Sequence, residues 1–203
     1  MRELFLQFVE NELGSNFVLI ACGLPATGKS GASRQVARIK GYPLFSTDLV
    51  RLEVLKDEDI SDEKVAANMD KRMRVYDETF RRADDALKDN KGVILDATFF
   101  TQLLRRRAAE IAARHKRSFI IMQTECPQEV AIRRILDRAK KEDYESNALT
   151  EQAYLNNKAS FEPVDLDDLK RLYPALSITH LIVDTRHDPP EDWYVINVEK
   201  RLQ

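Results

Sequence analysis

The fold of this chain is decided by the octapeptide Gly23-Leu24-Pro25-Ala26-Thr27-Gly28-Lys29-Ser30. It follows the apolar run FVLIAC at residues 17–22 and matches the pattern G-x-x-x-x-G-K-[ST] at every fixed position. The two glycines permit a tight turn whose backbone N–H groups surround phosphate oxygens, and the helix that follows adds its positive dipole end. The stretch therefore predicts a strand, a phosphate-binding loop and a helix that bind a nucleoside triphosphate, taken here as ATP.

The last two residues of the octapeptide would complete this site. Lys29 is expected to reach the β- and γ-phosphates, and the Ser30 hydroxyl is expected to bind Mg²⁺. The alternative is a glycine-rich turn between a strand and a helix that binds nothing. The residues expected to contact the nucleotide are Gly23, Leu24, Pro25, Ala26, Thr27, Gly28, Lys29, Ser30 and Gly31.

The bulk composition predicts one domain, spanning residues 1–203. A chain of 203 residues with 43% hydrophobic content is long enough for one well-buried core and short for two. A formal net charge of −2 gives no general attraction to nucleic acid. Basic patches at residues 105–107, 114–117 and 133–141 keep nucleic acid open as a partner, although solvated helix faces would explain them too.

The chain shows no sign of export or of membrane insertion. Its two cysteines, Cys22 and Cys126, each end an apolar run, which predicts free thiols and a cytoplasmic location. Residues 1–16 are expected to form an amphipathic helix rather than a signal peptide, and no apolar run reaches transmembrane length. The three scattered histidines have no metal-ligand spacing, so any metal should be held by oxygens and phosphate.

Short apolar segments alternate with helical patterns along the rest of the chain. Strands are predicted at residues 44–46, 93–95, 118–123 and 181–183, and helices at 31–39, from 47, 61–91, 103–114, 128–140 and 166–172. This alternation predicts an α/β fold of the three-layer P-loop NTPase type, with a parallel sheet flanked by helices and ligands at the carboxyl ends of the strands.

Two segments of this pattern are harder to assign. Residues 141–157 are polar, lack a strong period and are expected to form a mobile helical lid. Residues 193–202 are predicted to form a closing helix, with a short strand at 194–196 as the alternative.

Acidic residues follow three of the predicted strands. Asp48 is the expected general base for a hydroxyl acceptor, with Arg51 one helical turn on; the alternative is that Asp48 only caps a helix. Asp96 is expected to organise Mg²⁺, although an acid at a strand end also satisfies loop amides. Asp184 is explained equally well by a nucleotide base that rests near the last strand and by a turn. Thr98 could contact the acceptor or a phosphate, or it could be a turn residue.

Two arginines precede the expected lid on one helix face. Arg134 and Arg138 are four residues apart, and fork-shaped guanidinium groups suit the charge that develops on a transferring phosphoryl group. Arg134 is the expected catalytic arginine and Arg138 the expected nucleotide contact. The alternative is an exposed basic helix.

Together these motifs resemble small P-loop kinases of the AAA-like ATP-binding class, which are often fused to aminoglycoside phosphotransferase-like domains and are related to polynucleotide 5′-kinase and zeta-toxin kinases. The resemblance is carried by GLPATGKS at 23–30, STDLVR at 46–51, ILDATF at 94–99 with Arg105, Cys126-Pro127 with the two arginines, and FEP at 161–163. A Ser-Asp-Ala element of the class appears here as SNA at 146–148, without its acid.

The resemblance implies ATP-dependent phosphorylation with Asp48 as base and Arg51 on the acceptor side, and members of the class act on polynucleotide ends, sugars and small metabolites. The leading interpretation is a kinase that moves the γ-phosphate of ATP to a hydroxyl of a small metabolite or a nucleic-acid end. The alternative is a nucleotide-dependent switch or regulatory ATPase that acts on a protein partner.

Overall fold

The computed structural model describes residues 2–58, 68–139 and 150–202. In this part of the chain a seven-stranded sheet consists of β1 (Glu3–Leu4), β2 (Phe17–Cys22), β3 (Leu44–Ser46), β4 (Val93–Asp96), β5 (Ser118–Glu125), β6 (Ile178–Asp184) and β7 (Tyr194–Arg201). The helices are α1 (Phe5–Asn11), α2 (Lys29–Lys40), α3 (Thr47–Val54), α4 (Met69–Asp89), α5 (Gln102–Arg114), α6 (Gln128–Ala139), α7 (Glu151–Ser160) and α8 (Leu166–Leu172).

The strand order is β1-β7-β6-β5-β2-β4-β3. The five strands from β6 to β3 are mutually parallel, whereas β7 runs antiparallel to β6 and β1 antiparallel to β7. Every residue of β2 and β4 is buried, because helices cover both faces of the sheet. The expected α/β architecture is confirmed, with an antiparallel extension at one edge.

Alternate side chains of the central strands build a core on each face of the sheet. On one face Val18 and Ile20 belong to a cluster with side chains of α4, α5 and α8, including Phe80 and Leu104. On the other face Leu19 packs in a cluster with side chains of α1 and α2. This three-layer packing leaves the carboxyl ends of the parallel strands together at one edge.

The two ends of the chain differ from expectation. The predicted closing helix at 193–202 is wrong, because Tyr194–Arg201 is a strand that pairs along nearly the whole of β6; the alternative strand is right but longer than proposed. At the amino end a two-residue strand, Glu3–Leu4, pairs with β7 before the helix begins at Phe5. The edge of β6 accounts for β7, and the outer edge of β7 accounts for β1, since pairing satisfies backbone groups that a helix would satisfy internally.

Other predicted elements are found with shifted bounds. The long helix predicted at 61–91 is observed as Met69–Asp89, and residues 61–67 lie outside the described residues. Of the expected lid, residues 141–149 and the SNA element also lie outside them, while Glu151–Ser160 is helical. Both cysteines are free thiols, and burial raises the pKa of the Cys22 thiol to about 11. Across the described ranges, none of the helices has the length and apolar character to span a membrane.

Candidate active site

The octapeptide forms a tight loop between β2 and α2. Gly23 and Gly28 have φ angles of +133° and +86°, and Gly28 is the residue that precedes α2. A Cβ atom at Gly23 would lie 2.6 Å from the carbonyl oxygen of Thr124. Ala26 also adopts a positive φ, of 61°, which is uncommon for a residue with a side chain. The strand, loop and helix expected from the sequence are therefore present, and the loop is curled as a phosphate cradle requires.

Three threonines hold this loop in shape. The Thr27 hydroxyl donates to the Leu24 carbonyl at 2.8 Å and lies 2.8 Å from the Thr124 hydroxyl on β5. The Thr185 hydroxyl, just after β6, donates to the Thr27 carbonyl at 2.7 Å. The sequence analysis missed Thr124 and Thr185; their positions at the carboxyl ends of parallel strands were the available signal. The loop is thus supported by the two strands beyond β2.

Lys29 lies across the loop. Its ammonium donates to the Leu24 carbonyl at 2.7 Å. Burial lowers the pKa of Lys29, while the charges of Asp96 and Asp48 raise it. The Lys29 ammonium and the backbone N–H groups of the loop attract a phosphate group, whereas the carboxylates of Asp48 and Asp96 would repel it unless a cation lay between them.

Ser30 and Asp96 meet beside the lysine. Asp96 ends β4 and is 5% exposed, next to Ala21 of β2 in the parallel pairing. Burial raises the pKa of Asp96, and a hydrogen bond from the Ser30 side chain and the charge of Lys29 lower it. A hydroxyl beside a carboxylate suits Mg²⁺, which prefers oxygen ligands and is commonly shared between a carboxylate and substrate phosphates.

Asp48 occupies the first turn of α3 but does not cap it. The N-cap is Ser46, whose hydroxyl accepts a hydrogen bond from the Asp48 backbone N–H at 3.3 Å. The alternative of a purely capping Asp48 is therefore wrong. Its carboxylate instead pairs with Arg51 at 3.0 Å, with 34% of the Asp48 side chain exposed. Ser46 lies opposite Asp96 in the parallel pairing of β3 with β4, and the Thr47 hydroxyl donates to the Asp96 carbonyl at 3.4 Å, so the sheet brings Asp48 to the loop.

Arg134 ties the phosphate loop to the chain after β6. Its guanidinium donates to the carbonyls of Thr185 at 2.7 Å and His187 at 2.9 Å, and it pairs with Asp188 at 2.9 Å. A longer contact of 3.4 Å reaches the Ala26 carbonyl within the loop. Arg138, one turn further along α6, lies close enough for its charge to lower the pKa of Lys29. Both arginines face the site, and Arg134 is engaged with backbone oxygens.

A cleft of about 310 Å³ opens beside the start of α2. Its lining is Gly28, Gly31, Arg34, Gln35, Arg134, Arg138, Asp188, Pro190 and Trp193. Trp193, the one tryptophan of the sequence, donates its indole N–H to the His187 carbonyl at 2.7 Å. A Cβ atom at Gly31 would lie 2.8 Å from the Trp193 ring, so only glycine permits this packing. The sequence analysis placed Gly31 at the site and missed Trp193.

Other residues singled out from the sequence have structural contacts. The Asp184 carboxylate accepts from the Arg186 backbone N–H at 3.0 Å, which is the turn that was the alternative for Asp184. The Thr98 carbonyl accepts from the Gly23 N–H at 3.3 Å. Arg105 is fully buried and donates to the carbonyls of Glu162 and Pro163.

The basic patches of the α5 region are largely paired with acids. Arg106 bonds Asp168, Arg107 bonds Asp77, and Arg114 bonds Asp84, at 2.6 to 2.9 Å. These cations are balanced locally, as the solvated-face alternative expected.

The fold occurs in solved structures of kinases. A protein from Chloroflexus aurantiacus, solved as a candidate kinase, is 20% identical with a TM-score of 0.60, over 83% of this chain and 84% of that chain. A sugar kinase from Janibacter sp. HTCC2649 is 17% identical with a TM-score of 0.58, over 88% and 89% of the two chains. A gluconokinase from Sinorhizobium meliloti 1021 is 16% identical with a TM-score of 0.56, over 86% and 85%.

A family model matches the part of the chain that contains most of the site residues. A model described as an AAA domain matches residues 18–164, a span that begins in β2 and includes the phosphate loop, Asp48, Asp96 and both arginines. Loop, strand order and family model all agree on the P-loop architecture. The chain belongs to the AAA domain family.

Proposed function

We propose that this chain transfers the γ-phosphate of ATP to a hydroxyl group of a small metabolite. The observation that carries the proposal is the convergence of a phosphate loop and its lysine with two acids of different exposure. Asp96 is buried against Ser30, as a metal-organising acid would be, whereas Asp48 is partly open, as a base that meets an acceptor must be. The kinase fold of the solved neighbours supports the same reaction class.

The triphosphate would lie on the loop, with Lys29 leaving the Leu24 carbonyl to contact the β- and γ-phosphates. The base and ribose would enter the cleft beside α2, whose lining includes Gly28, Arg34 and the edge of Trp193. Ser30 and Asp96 would hold Mg²⁺, which when bound neutralises charge on the phosphates.

The acceptor would approach from the side of α3. Its oxygen forms a bond to the γ-phosphorus while the bond from that phosphorus to the β-phosphate oxygen breaks, and ADP leaves. The hydroxyl proton passes to the Asp48 carboxylate, which Arg51 orients at 3.0 Å. Asp48 needs its partial exposure for this step, because a general base must reach the proton that it removes.

The two arginines would have different tasks. Arg134 donates to a carbonyl within the loop and to one just after β6, so we propose that it is a positioning residue that fixes Ala26 and Thr185. Arg138 lines the cleft and acts on Lys29 by its charge, so it is the better candidate to contact the phosphates directly. The sequence suggests Arg134 as the catalytic arginine, whereas we propose that Arg138 makes the phosphate contact.

The local pairing of the α5 arginines favours a small acceptor over a nucleic-acid end, because a polynucleotide needs cations that remain available for its phosphates. The resemblance to polynucleotide 5′-kinase and zeta-toxin kinases keeps nucleosides and oligonucleotides among the acceptors to be screened.

The test is an ATP-consumption screen with pooled nucleosides, oligonucleotides, sugars and aminoglycosides, run beside the Asp48→Asn variant. Nucleotide binding is followed separately through the fluorescence of Trp193, since this ring lines the cleft proposed for the nucleotide. A kinase shows consumption that depends on one pool and collapses in the variant. Slow hydrolysis that no pool accelerates, with normal nucleotide binding, would instead favour the regulatory ATPase.

A further inference from the structure

A second cavity, of about 200 Å³, is lined by side chains of the sheet face that α4 and α5 cover, whereas α2, which lines the nucleotide cleft, packs on the opposite face. Its lining comes from the start of α4, the start of α5 and the chain that precedes α8: Met69, Arg72, Met73, Tyr76, Phe100, Thr101, Leu103, Leu104 and Glu162. It shares no lining residue with the nucleotide cleft. We call it the α4–α5 pocket.

The α4–α5 pocket begins just after β4, the strand that ends in Asp96. Phe100 is four residues beyond Asp96, and the intervening chain is held by a hydrogen bond of 3.2 Å from the Phe99 N–H to the Tyr76 hydroxyl. Val50 of α3 packs with Val75 of α4 in one apolar cluster, so the helix that carries Asp48 lies against the helix that lines the pocket. The pocket therefore lies on the side of the site where the acceptor would approach.

The surface of this pocket is suited to an apolar ring. Tyr76 and Phe100 contribute aromatic faces, and Met73 adds a flexible thioether. At its mouth Met69 is 51% exposed and Leu103 is 59% exposed, so two large apolar side chains meet solvent at one opening. Apolar groups gathered around a concave site mark the place where a ligand loses its hydration.

The pocket also carries an available positive charge. The Arg72 guanidinium lies over the Phe100 ring, 5.3 Å from its centroid. It forms no ion pair with any residue of the described ranges, 2–58, 68–139 and 150–202. Glu162, the acid of the pocket, keeps its charge but is engaged by two local partners: its carboxylate accepts from the Gln102 backbone N–H at 2.5 Å, and its charge acts on the buried Arg105. An anionic group on a ligand would therefore find Arg72 as its partner.

We propose that the α4–α5 pocket binds an aromatic ring of the hydroxyl acceptor, and that Arg72 pairs with an anionic group carried by the same molecule. The ligand's role as acceptor rests on the function proposed above; the pocket's chemistry does not. The expected substrate class is an aromatic, acidic alcohol. Small sugars and sugar acids have no aromatic ring, so they would leave Met69, Leu103 and Phe100 in contact with water.

Four small alcohols separate the two parts of this proposal. Phenyllactate has the ring, the hydroxyl and the carboxylate; phenylpropanediol lacks the charge; lactate lacks the ring; propanediol lacks both. Their binding to the full chain is measured by ligand-observed NMR titration in saturating MgADP, which fills the nucleotide cleft. We expect phenyllactate to bind at least about tenfold more tightly than lactate and several-fold more tightly than phenylpropanediol.

Matched variants locate the effect. Met69→Gln combined with Leu103→Gln should weaken the two ring compounds about fivefold or more and leave lactate unchanged, whereas Leu172→Gln, an equally exposed apolar residue on α8, should change nothing. Arg72→Gln should weaken the two carboxylates only, with exposed Arg74→Gln on the same helix as its control. These positions are at the surface or half-buried, and thermal melting verifies that each variant is folded.

The outcomes distinguish this inference from the proposed function. Equal binding of lactate and phenyllactate, or ring binding that survives the double variant, overturns the pocket assignment even if the chain proves to be a kinase for sugars. Selective binding of phenyllactate without any acceptor-dependent ATP use supports the pocket as a binding site and contradicts the kinase proposal.

Discussion

Replacing Asp48 by Asn should separate phosphoryl transfer from both nucleotide binding and folding. The substitution keeps the shape of the side chain and removes its charge. Ser46 still caps α3, so no capping energy is lost. What is lost is the attraction of a first-turn carboxylate to the helix dipole, about 0.3–1 kcal/mol, and a partly exposed pair with Arg51, about 0.2–1 kcal/mol.

These terms predict a small change in stability and a large change in rate. The free energy of unfolding should fall by about 0.5–2 kcal/mol, which lowers the melting temperature by several degrees at most. Loss of a general base should slow transfer about 10²-fold or more, equivalent to about 2.7 kcal/mol in the activation barrier. ATP affinity should remain within about threefold, because the base acts on the acceptor.

The chain contains a matched control for this variant. Asp70 occupies the same position in α4, second after an Asn68 cap, as Asp48 does in α3, and it is exposed. Asp70→Asn should reproduce the helix-dipole part of the loss in stability, about 0.3–1 kcal/mol, without any loss of rate. The assays are thermal melting, Trp193 fluorescence with ATP, and single-turnover transfer to the acceptor found in the screen. An Asp48→Asn chain that melts earlier yet transfers phosphate at the original rate would refute the assignment of the base.

Three further changes have definite expected outcomes. Lys29→Ala should abolish ATP turnover, at a cost of about 3 kcal/mol or more in transition-state stabilisation, with an unchanged circular dichroism spectrum; an unaltered turnover rate would contradict the role of its ammonium. Asp96→Asn should weaken the dependence of ATP affinity on Mg²⁺, and calorimetric titrations with and without the metal would show equal coupling in both proteins if Asp96 had no part in it. Burial lowers the pKa of His180 to about 4, so below pH 6.5 the unfolded chain takes up a proton that the folded chain refuses, and stability falls between about pH 6.5 and 4 by up to about 3 kcal/mol. Denaturant titrations at several pH values should show a shallower fall in His180→Gln; an identical slope in both proteins would mean that another group is responsible.

The sequence alone determined the elements whose causes are local. The octapeptide at 23–30 required a strand before it and a helix after it, because only that context aligns the backbone donors of the loop with a helix dipole. The apolar run at 93–95 followed by Asp96 was recognisable as a buried parallel strand, since its neighbours on both faces must be apolar. The position of Ser30 beside Asp96 follows from these two elements once the sheet is parallel.

Tertiary structure decided the residues whose partners are remote in the chain. Tyr194–Arg201 became a strand because β6 offers it an unpaired edge, and no periodicity within 193–202 reports that edge. Arg105 looked like part of a basic surface, yet it is fully buried on the carbonyls of Glu162 and Pro163, more than fifty residues away. Nothing in the sequence around Arg105 indicates these partners, because the residue looks the same as the other arginines of its basic run.

The support of the phosphate loop was decided in the same way. Thr124 and Thr185 are 97 and 158 residues from the loop threonine that they contact, and they reach it only because parallel strands end at one edge of the sheet. The phosphate loop could be predicted from the sequence, because its backbone conformation depends on two nearby glycines, Gly23 and Gly28. The sequence could not name the side chains that hold the loop, because hydrogen bonds across a sheet depend on strand order, and strand order is a property of the folded chain.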